Sequence, residues 1–385
     1  MNAVYLDHAA TTPVRAEARE AMLPYLGERF GNPSSVHRWG RQARNALEEA
    51  RERVAAVLGA ERVQVVFTGG GTEADNLAVL GRFRHACREN GAPGAVACSA
   101  IEHPAILGAA ARAASEGAER LILGVDADGV VDVGVLDEVL AARPCVVSVM
   151  WGNNEIGTVQ PVAEIGARCR SGEVPFHTDA VQAFGKVRVR VDEVACDLLS
   201  LSGHKFGGPK GIGVLYVRGG TTLLPLAHGG GQERELRPGT ENVASAVGFA
   251  VAAELAAAEQ EALATRLSAL RERLEATVLE NVPGATVLGA GAETRLPNIA
   301  TFWIPDADGE GLLIGLDLEG VAASGGSACH SGTSKASHVL VALGVGEEPG
   351  AVVRVSMGHA TTAAEIDRAA AALPRVAARV RAAVV

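Results

Sequence analysis

The chain has 385 residues, enough for two or three domains and a large core without covalent staples. With 48% hydrophobic and 21% charged residues, it is neither a disordered chain nor a coiled coil. Its 35 basic residues against 45 acidic ones give a net charge of −10, and aromatics make up only 4%, which argues against nucleic acid as a direct partner.

No charge-free apolar stretch reaches the roughly 18 residues of a membrane span, so no transmembrane helix and no membrane partner are expected. The N-terminus, MNAVYLDHAATTPV, has no basic region followed by an apolar run and reads as the start of a cytoplasmic protein. The cysteines are Cys87, Cys98, Cys145, Cys169, Cys196 and Cys329. None forms a C-x-x-C pair and none has a histidine at structural-zinc spacing, so reduced thiols and no certain metal site are expected.

Along the chain, short apolar runs alternate with Ala-rich helical stretches, and glycines punctuate them. The runs are Val63–Phe67, Gly94–Cys98, Leu121–Val125, Cys145–Met150, Val174–His177, Cys196–Ser200 and Gly213–Val217. Continuous apolar runs of this length suit strands buried on both faces, and the alternation suits βα repeats. From Phe249 to Leu279 an Ala/Glu/Arg/Leu pattern predicts a long helix. A strand at Asn298–Ile304, a helix at Gly309–Gly320, a Gly/Ser-rich stretch around Cys329 and a final helix follow. Thr362 and Glu365 form a capping box that opens the last helix, and Pro374 is expected to kink it. The fold class is α/β: a large domain with a mainly parallel mixed sheet flanked by helices, plus a smaller α+β domain. The large domain is expected over residues 15–255, and the small one over 1–14 and 256–385.

Several groups with chemical potential sit just past strands. Thr68-Gly-Gly-Gly71-Thr72 is a Gly-rich strand-to-helix turn whose amides and helix dipole suit a phosphate, or an ordinary tight turn. His103, before Pro104, could stack on an aromatic cofactor and shuttle protons, or be a satisfied loop histidine. Asn153-Asn154-Glu155 could bind a substrate carboxylate or a cofactor oxygen, which makes Asn154 a cofactor-binding as well as a substrate-binding candidate, or form a turn. Asp179, at a strand's carboxyl end, could hold a protonated pyridine nitrogen or cap a helix. Ser202-Gly-His204-Lys205 offers a lysine at the end of a buried strand, a candidate imine former or a solvated loop lysine. Cys329 sits in a polar, glycine-rich context, a candidate nucleophile or an incidental exposed thiol. Arg354 could clamp a carboxylate or serve a structural ion pair.

Taken in this order, the groups resemble the cysteine desulfurases of the NifS/IscS type, class V aminotransferase-like enzymes of fold-type I. The resemblance runs from Tyr5-Leu-Asp-His-Ala-Ala-Thr-Thr12 to Arg354-Val-Ser356. It includes Gly31-Asn-Pro-Ser-Ser-Val-His37, Thr72-Glu-Ala-Asp-Asn76, Glu102-His-Pro104, Asn153-Asn-Glu-Ile-Gly157, Asp179-Ala-Val-Gln182, Ser202-Gly-His-Lys205, His228-Gly-Gly-Gly-Gln-Glu-Arg234 and Ser327-Ala-Cys329. The resemblance implies that Lys205 carries pyridoxal 5'-phosphate, Asp179 pairs with its ring nitrogen, His103 stacks on the ring and moves thiol protons, and Gln182 contacts the phenolic oxygen. By the same resemblance Gly71, Thr72, Ser202 and His204 hold the phosphate, with Thr240 reaching it across a homodimer interface. Asn154 and Arg354 hold the substrate carboxylate. Cys329 accepts sulfur from L-cysteine as a persulfide and is also a candidate iron–sulfur ligand.

The implied partners are L-cysteine and a sulfur-acceptor protein, such as an iron–sulfur scaffold or a tRNA-thiolation protein. Where the family often has Ser-Gly-Ser-Ala-Cys-Thr-Ser, this chain has Gly325-Gly-Ser-Ala-Cys-His-Ser331, and the usual Glu-Pro-Ser is missing before His338. The spacing from Cys329 to Ser337 still resembles the branch with a long, mobile cysteine loop. Cys329-His330 also resembles the selenocysteine lyases, which keeps a selenocysteine lyase or another C–S lyase of this fold as an alternative. A non-catalytic sulfur-pathway interaction protein is the alternative of another class. With the sequence stopping at Val385, soon after the last helix, scaffold binding through the longer tail of some relatives is not expected.

Overall fold

All seven apolar runs read as strands pair into one sheet. The computed structural model describes residues 3–325, 337–345 and 349–384. Its elements begin with β1 (Val4–Tyr5), α1 (Ala16–Leu26), α2 (Arg38–Leu58), β2 (Val65–Thr68), α3 (Gly71–Asn90), β3 (Ala95–Ser99), α4 (Pro104–Ser115) and β4 (Glu119–Leu123). Next come α5 (Leu136–Ala141), β5 (Val146–Ser148), α6 (Val162–Ser171), β6 (Phe176–Asp179), β7 (Leu198–Ser202), β8 (Gly213–Val217) and the long α7 (Val243–Asn281). The chain then forms β9 (Thr286–Val287), β10 (Ile299–Pro305), α8 (Gly309–Leu318), β11 (Val321–Ala322), α9 (His338–Ala342), β12 (Gly350–Ser356) and α10 (Ala363–Val384).

The large sheet has the order β2-β8-β7-β6-β5-β3-β4. It is parallel from β7 through β4, while β8 runs antiparallel to both β2 and β7. Strands β3, β5, β6 and β7 are buried along their whole length, as the continuous apolar runs predict, whereas edge strand β4 is mostly exposed and buries only Leu123. The other edge, β2, is closed by side chains. Arg51 and Arg234 both donate to the Val65 carbonyl, and Glu233 accepts from the Phe67 amide while pairing with Arg51.

A second core lies between α7, α8, α10 and the small antiparallel sheet β12-β10-β9. Val4 and Leu6 of the N-terminal segment pack into this second core, and β1 pairs in parallel with β11. Helix α7 joins the two cores: Phe249, Ala250 and Ala253 pack against the large sheet, and Leu267, Leu274 and Val278 pack in the second core. By length and composition α7 is long and apolar enough to cross a membrane, but 61% of its apolar window is buried inside the fold. The capping box forms as read, with Glu365 N–H donating to Thr362 Oγ1 and Thr362 N–H to Glu365 Oε2. Helix α10 runs through Pro374 without a break.

An aromatic cluster seats the loop that follows β7. Phe206 lies edge-on to both Phe184 and Phe249, at centroid distances of 4.8 and 5.1 Å. A Cβ on Gly203 would come within 3.0 Å of the Phe249 ring. Phe249 is fully buried, so Phe249→Ala should lose about 3–5 kcal/mol of stability. A lowered midpoint in thermal and denaturant melts checks this; an unchanged midpoint would show that the cluster does not hold the loop.

Candidate active site

The carboxyl ends of the parallel strands open into one cavity of about 1030 Å³. Gly71, Thr72, His103, Asn154, Asp179, Gln182, Ser202, His204, Lys205 and Arg354 all line it. Thr240 does not; it is exposed in the loop before α7. Cys329, together with Ser327 and His330, lies outside the described residues.

Lys205 closes a 3₁₀ turn, Gly203–Lys205, directly after β7. Its Nζ donates to the carbonyls of Ala9 and Ala10, at 2.6 and 2.9 Å. The N-terminal segment is itself tied to this turn: the Thr12 amide and hydroxyl both donate to the His204 carbonyl, and the Gly207 amide donates to Thr12 Oγ1. Burial, and then the Arg354 charge, lower the Lys205 pKa to about 8, against the pull of Asp179 and Asp7. The second buried lysine, Lys186, donates to the Lys205 carbonyl at 3.3 Å and is likewise pushed down to about 8 by burial.

Asp179 ends β6, is buried, and accepts the Val181 amide on Oδ1 at 2.8 Å. Burial raises its pKa, while His103 and Lys205 pull it back. His103 caps α4, its Nδ1 accepting the Ala105 amide at 3.1 Å. Burial lowers its pKa, so the neutral ring carries its proton on Nε2. Of the Asn pair, Asn153 makes the turn: it is buried, and its Oδ1 accepts the amides of Glu155 and Ile156. Asn154 is the member that lines the cavity.

Gly71 opens α3, and a Cβ there would meet Val181 Cγ2 at 2.9 Å and Ser202 Cβ at 3.3 Å. Beneath it, a Cβ on Gly213 would come within 2.5 Å of the Gly70 backbone. Bare backbone on both sides therefore shapes an anion-sized cradle at a helix N-terminus, with Thr72, Ser202 and His204 around it. The His204 ring contacts Thr11 Oγ1 at 3.1 Å, and burial lowers its pKa to about 4. Arg354 faces the cavity from β12; its Nη1 donates to the Asn154 carbonyl and its Nη2 to Asp7 at 2.7 Å. Arg354 therefore makes the structural ion pair, and it does so while lining the cavity. Gln182 Nε2 donates to the Ala9 carbonyl at 2.9 Å.

Sequence reasoning assigned no role to Thr11, Asp7, Asp75 or Lys186, although the first three lie inside quoted blocks. Asp75 follows Gly71 by one helical turn on the cavity face, a spacing that signals it.

The described cysteines are all unpaired, and four of the five are buried. Burial pushes the thiols of Cys98, Cys169 and Cys196 up to about 12.

Residues 4–369 match the Aminotransferase class-V family. The chain is 43% identical over 379 residues to "Cysteine desulfurase IscS" of Dictyoglomus turgidum, spanning 98% of this chain and 95% of that one. It is 44% identical over 380 residues to "Cysteine desulfurase NifS" of Azotobacter vinelandii, spanning 98% and 93%. A solved NifS-like protein superposes with a TM-score of 0.90 at 33% identity, over 98% of this chain and all of that one. The chain belongs to the class-V aminotransferase family, in its cysteine desulfurase branch of the NifS/IscS type.

Enzymes of that branch use pyridoxal phosphate, and the residues present fit it: a buried amine, a buried carboxylate, a neutral imidazole and a cradle that a Cβ would fill. The pKa of Lys205 gives a prediction. Reconstitution of the apoprotein with pyridoxal phosphate should speed up with pH through a midpoint near 8, as the amine loses its proton. Borohydride reduction should fix the cofactor mass on the Lys205 peptide, and Lys205→Ala should abolish it. A flat rate profile, or label on another lysine, would contradict the assignment.

Proposed function

We propose that the protein is a pyridoxal phosphate-dependent cysteine desulfurase that converts L-cysteine to L-alanine and donates the sulfur through a persulfide on Cys329. The observation that carries this reading is the convergence of Lys205, Asp179, His103 and Arg354 on one cavity in a chain of the desulfurase branch.

Bound pyridoxal phosphate supplies an electron sink that loosens first the Cα–H and then the Cβ–S bond of an attached amino acid. The protein's own groups do the rest. Gly71, Thr72, Ser202 and His204 seat the phosphate, and Gln182 contacts the phenolic oxygen. Asp179 holds a proton at the ring nitrogen, and His103 covers the ring. Arg354 and Asn154 bind the substrate carboxylate, which competes with Asp7 for the guanidinium. Lys205, with its pKa near 8, takes and returns a proton at Cα. The Nε2–H of His103 serves proton transfer at the thiols. The Cys329 thiolate attacks the substrate sulfur: an S–S bond forms, the Cβ–S bond breaks, and the carbon fragment leaves as alanine. The buried, proton-holding thiols of Cys98, Cys169 and Cys196 are poorly suited to this attack, which supports Cys329 as acceptor.

The reading includes a homodimer, in which the exposed Thr240 serves the phosphate of a second copy. It also includes a cytoplasmic location, supported by the unpaired thiols, and an iron–sulfur scaffold or tRNA-thiolation protein as sulfur acceptor. Residues 15–255 form the cofactor-binding unit, and 1–14 with 256–385 form the second unit, which carries Cys329.

Under reductant, the holoenzyme should release sulfide and alanine from L-cysteine in equal amounts, and Cys329→Ala should lose both. Turnover that survives in Cys329→Ala would replace the persulfide route with direct elimination. Arg354→Lys should raise KM for L-cysteine by about tenfold or more, since a point charge replaces a fork; an unchanged KM would take the carboxylate away from Arg354.

A further inference from the structure

Behind Asp179, the face of the large sheet that α3 covers carries a chain of buried polar groups that the proposed mechanism does not use. Ser148 and His177 are register partners on β5 and β6, and Asp179 and Ser200 are partners on β6 and β7. Since His177 and Asp179 are two apart on one strand, all four share a face. The His177 ring is fully buried and bonded at both ends, Nδ1 to Ser148 Oγ at 2.8 Å and Nε2 to Ser200 Oγ at 2.9 Å. Asp75, which lines the cavity from α3, has its Oδ1 3.8 Å from the same His177 Nε2, and the Ser200 hydroxyl favours its charged form. At the other end lies the carboxyl of Glu102, whose Oε1 accepts Ser99 Oγ–H and the amide of Met150, two residues beyond Ser148, and whose charged form the Ser148 hydroxyl favours.

Both end carboxyls are buried, and each keeps one oxygen without a hydrogen-bond partner, Asp75 Oδ1 and Glu102 Oε2. Two such carboxylates beside Asp179 cannot all be ionised in a dry interior.

We propose that Ser200, His177 and Ser148 form a buried proton relay between Asp75 and Glu102, through which the two carboxyls share a proton behind Asp179. The transfer balances without any co-reactant. Asp75 gives its proton to Ser200 Oγ, Ser200 gives its own to His177 Nε2, His177 releases the Nδ1 proton to Ser148, and Ser148 protonates Glu102. The net result is one proton moved, one negative charge moved the opposite way, and one change of His177 tautomer. Burial raises the pKa of both ends, that of Glu102 to about 8, and lowers that of His177 to about 3, so the ring passes protons while staying neutral. The other titratable groups facing the chain are Asp179, which acts on both ends and faces His103 and Lys205, and Cys98 beside Glu102. Asp75, His177 and Glu102 are thus positioning residues: they set the charge beside Asp179. That consequence rests on the pyridoxal phosphate reading of the cavity, whereas the relay itself does not.

The test is the His177 tautomer, read by histidine-15N NMR on protein purified with pyridoxal phosphate and assigned with His177→Gln. Asp75→Asn, an isostere of the protonated acid, leaves the charge on Glu102 and should give the Nδ1–H tautomer. Glu102→Gln pins the charge on Asp75 and should invert the ring to Nε2–H. If Glu102→Gln does not fold, Ser99→Ala, which removes a donor to Glu102 without touching His177, should move the population the same way. One tautomer throughout, or no response to Ser99→Ala, overturns the relay. In the holoenzyme, the pH midpoint of cofactor absorbance should lie higher in Glu102→Gln than in Asp75→Asn, because the charge then sits at the cavity. Inversion in a protein that binds no pyridoxal phosphate would support the relay and remove the cofactor reading, whereas bound cofactor with an unresponsive ring would do the reverse.

Discussion

The site depends on how the Lys205 amine is held. It is half-buried against two main-chain carbonyls, Ala9 and Ala10, and among the described residues it has no carboxylate partner. A carboxylate in that place would fix the amine in its charged form; carbonyls satisfy its N–H groups without raising its pKa nearly as far. Supplying those carbonyls requires the N-terminal segment to lie across the mouth of the large sheet. Thr12 holds it there, bonded to His204 and Gly207 on either side of Lys205.

The same segment ties the two cores together. Upstream of Ala9, Val4 and Leu6 are buried in the second core, and Asp7 pairs with Arg354 on β12. One short stretch therefore reports to the lysine at one end and to the arginine at the other. The pairing also explains why Arg354 can stay buried: Asp7 and the Asn154 carbonyl satisfy its terminal nitrogens. Replacing one buried partner by another of the same charge costs far less desolvation than burying a bare cation.

The parallel strands were legible because burial on both faces writes itself as an apolar run, as in Ala95–Ser99 and Leu198–Ser202. Ten of the twelve candidate residues converge on the cavity, because most of them end strands or open helices of that sheet. Long-range pairing left no local trace. The β1–β11 pair has only two residues per strand, and Asp7 meets Arg354 across 347 positions. The antiparallel entry of β8 was equally silent, since an apolar run carries no direction. Asp75 and His177 went unassigned for a different reason: a polar residue within an apolar pattern shows its purpose only when its neighbours across the sheet are known. Helix α10 carries Pro374 without a break because packing elsewhere holds it: Val376 and Ala377 beyond it are buried in the second core.

These features give the cavity a polarity. Acidic groups, Asp75, Asp179 and Glu102, lie on the sheet floor and under α3. Of the cationic groups, Lys205 and Arg354 line the cavity from the loop after β7 and from β12, and Lys186 lies behind Lys205 in the turn after β6. Within each set, burial and like charge push toward neutrality, lowering both lysines and raising all three acids. Burial thus opposes charge on both sides of the site. A ligand that brings a protonated ring nitrogen to the floor and an anionic phosphate to the α3 N-terminus supplies the charges that each side lacks. Its binding favours ionised Asp179 on the floor, while the amine opposite stays near the pKa at which it can both lose and regain a proton. The burial that makes the empty site reluctant to ionise is therefore what makes it responsive to this cofactor.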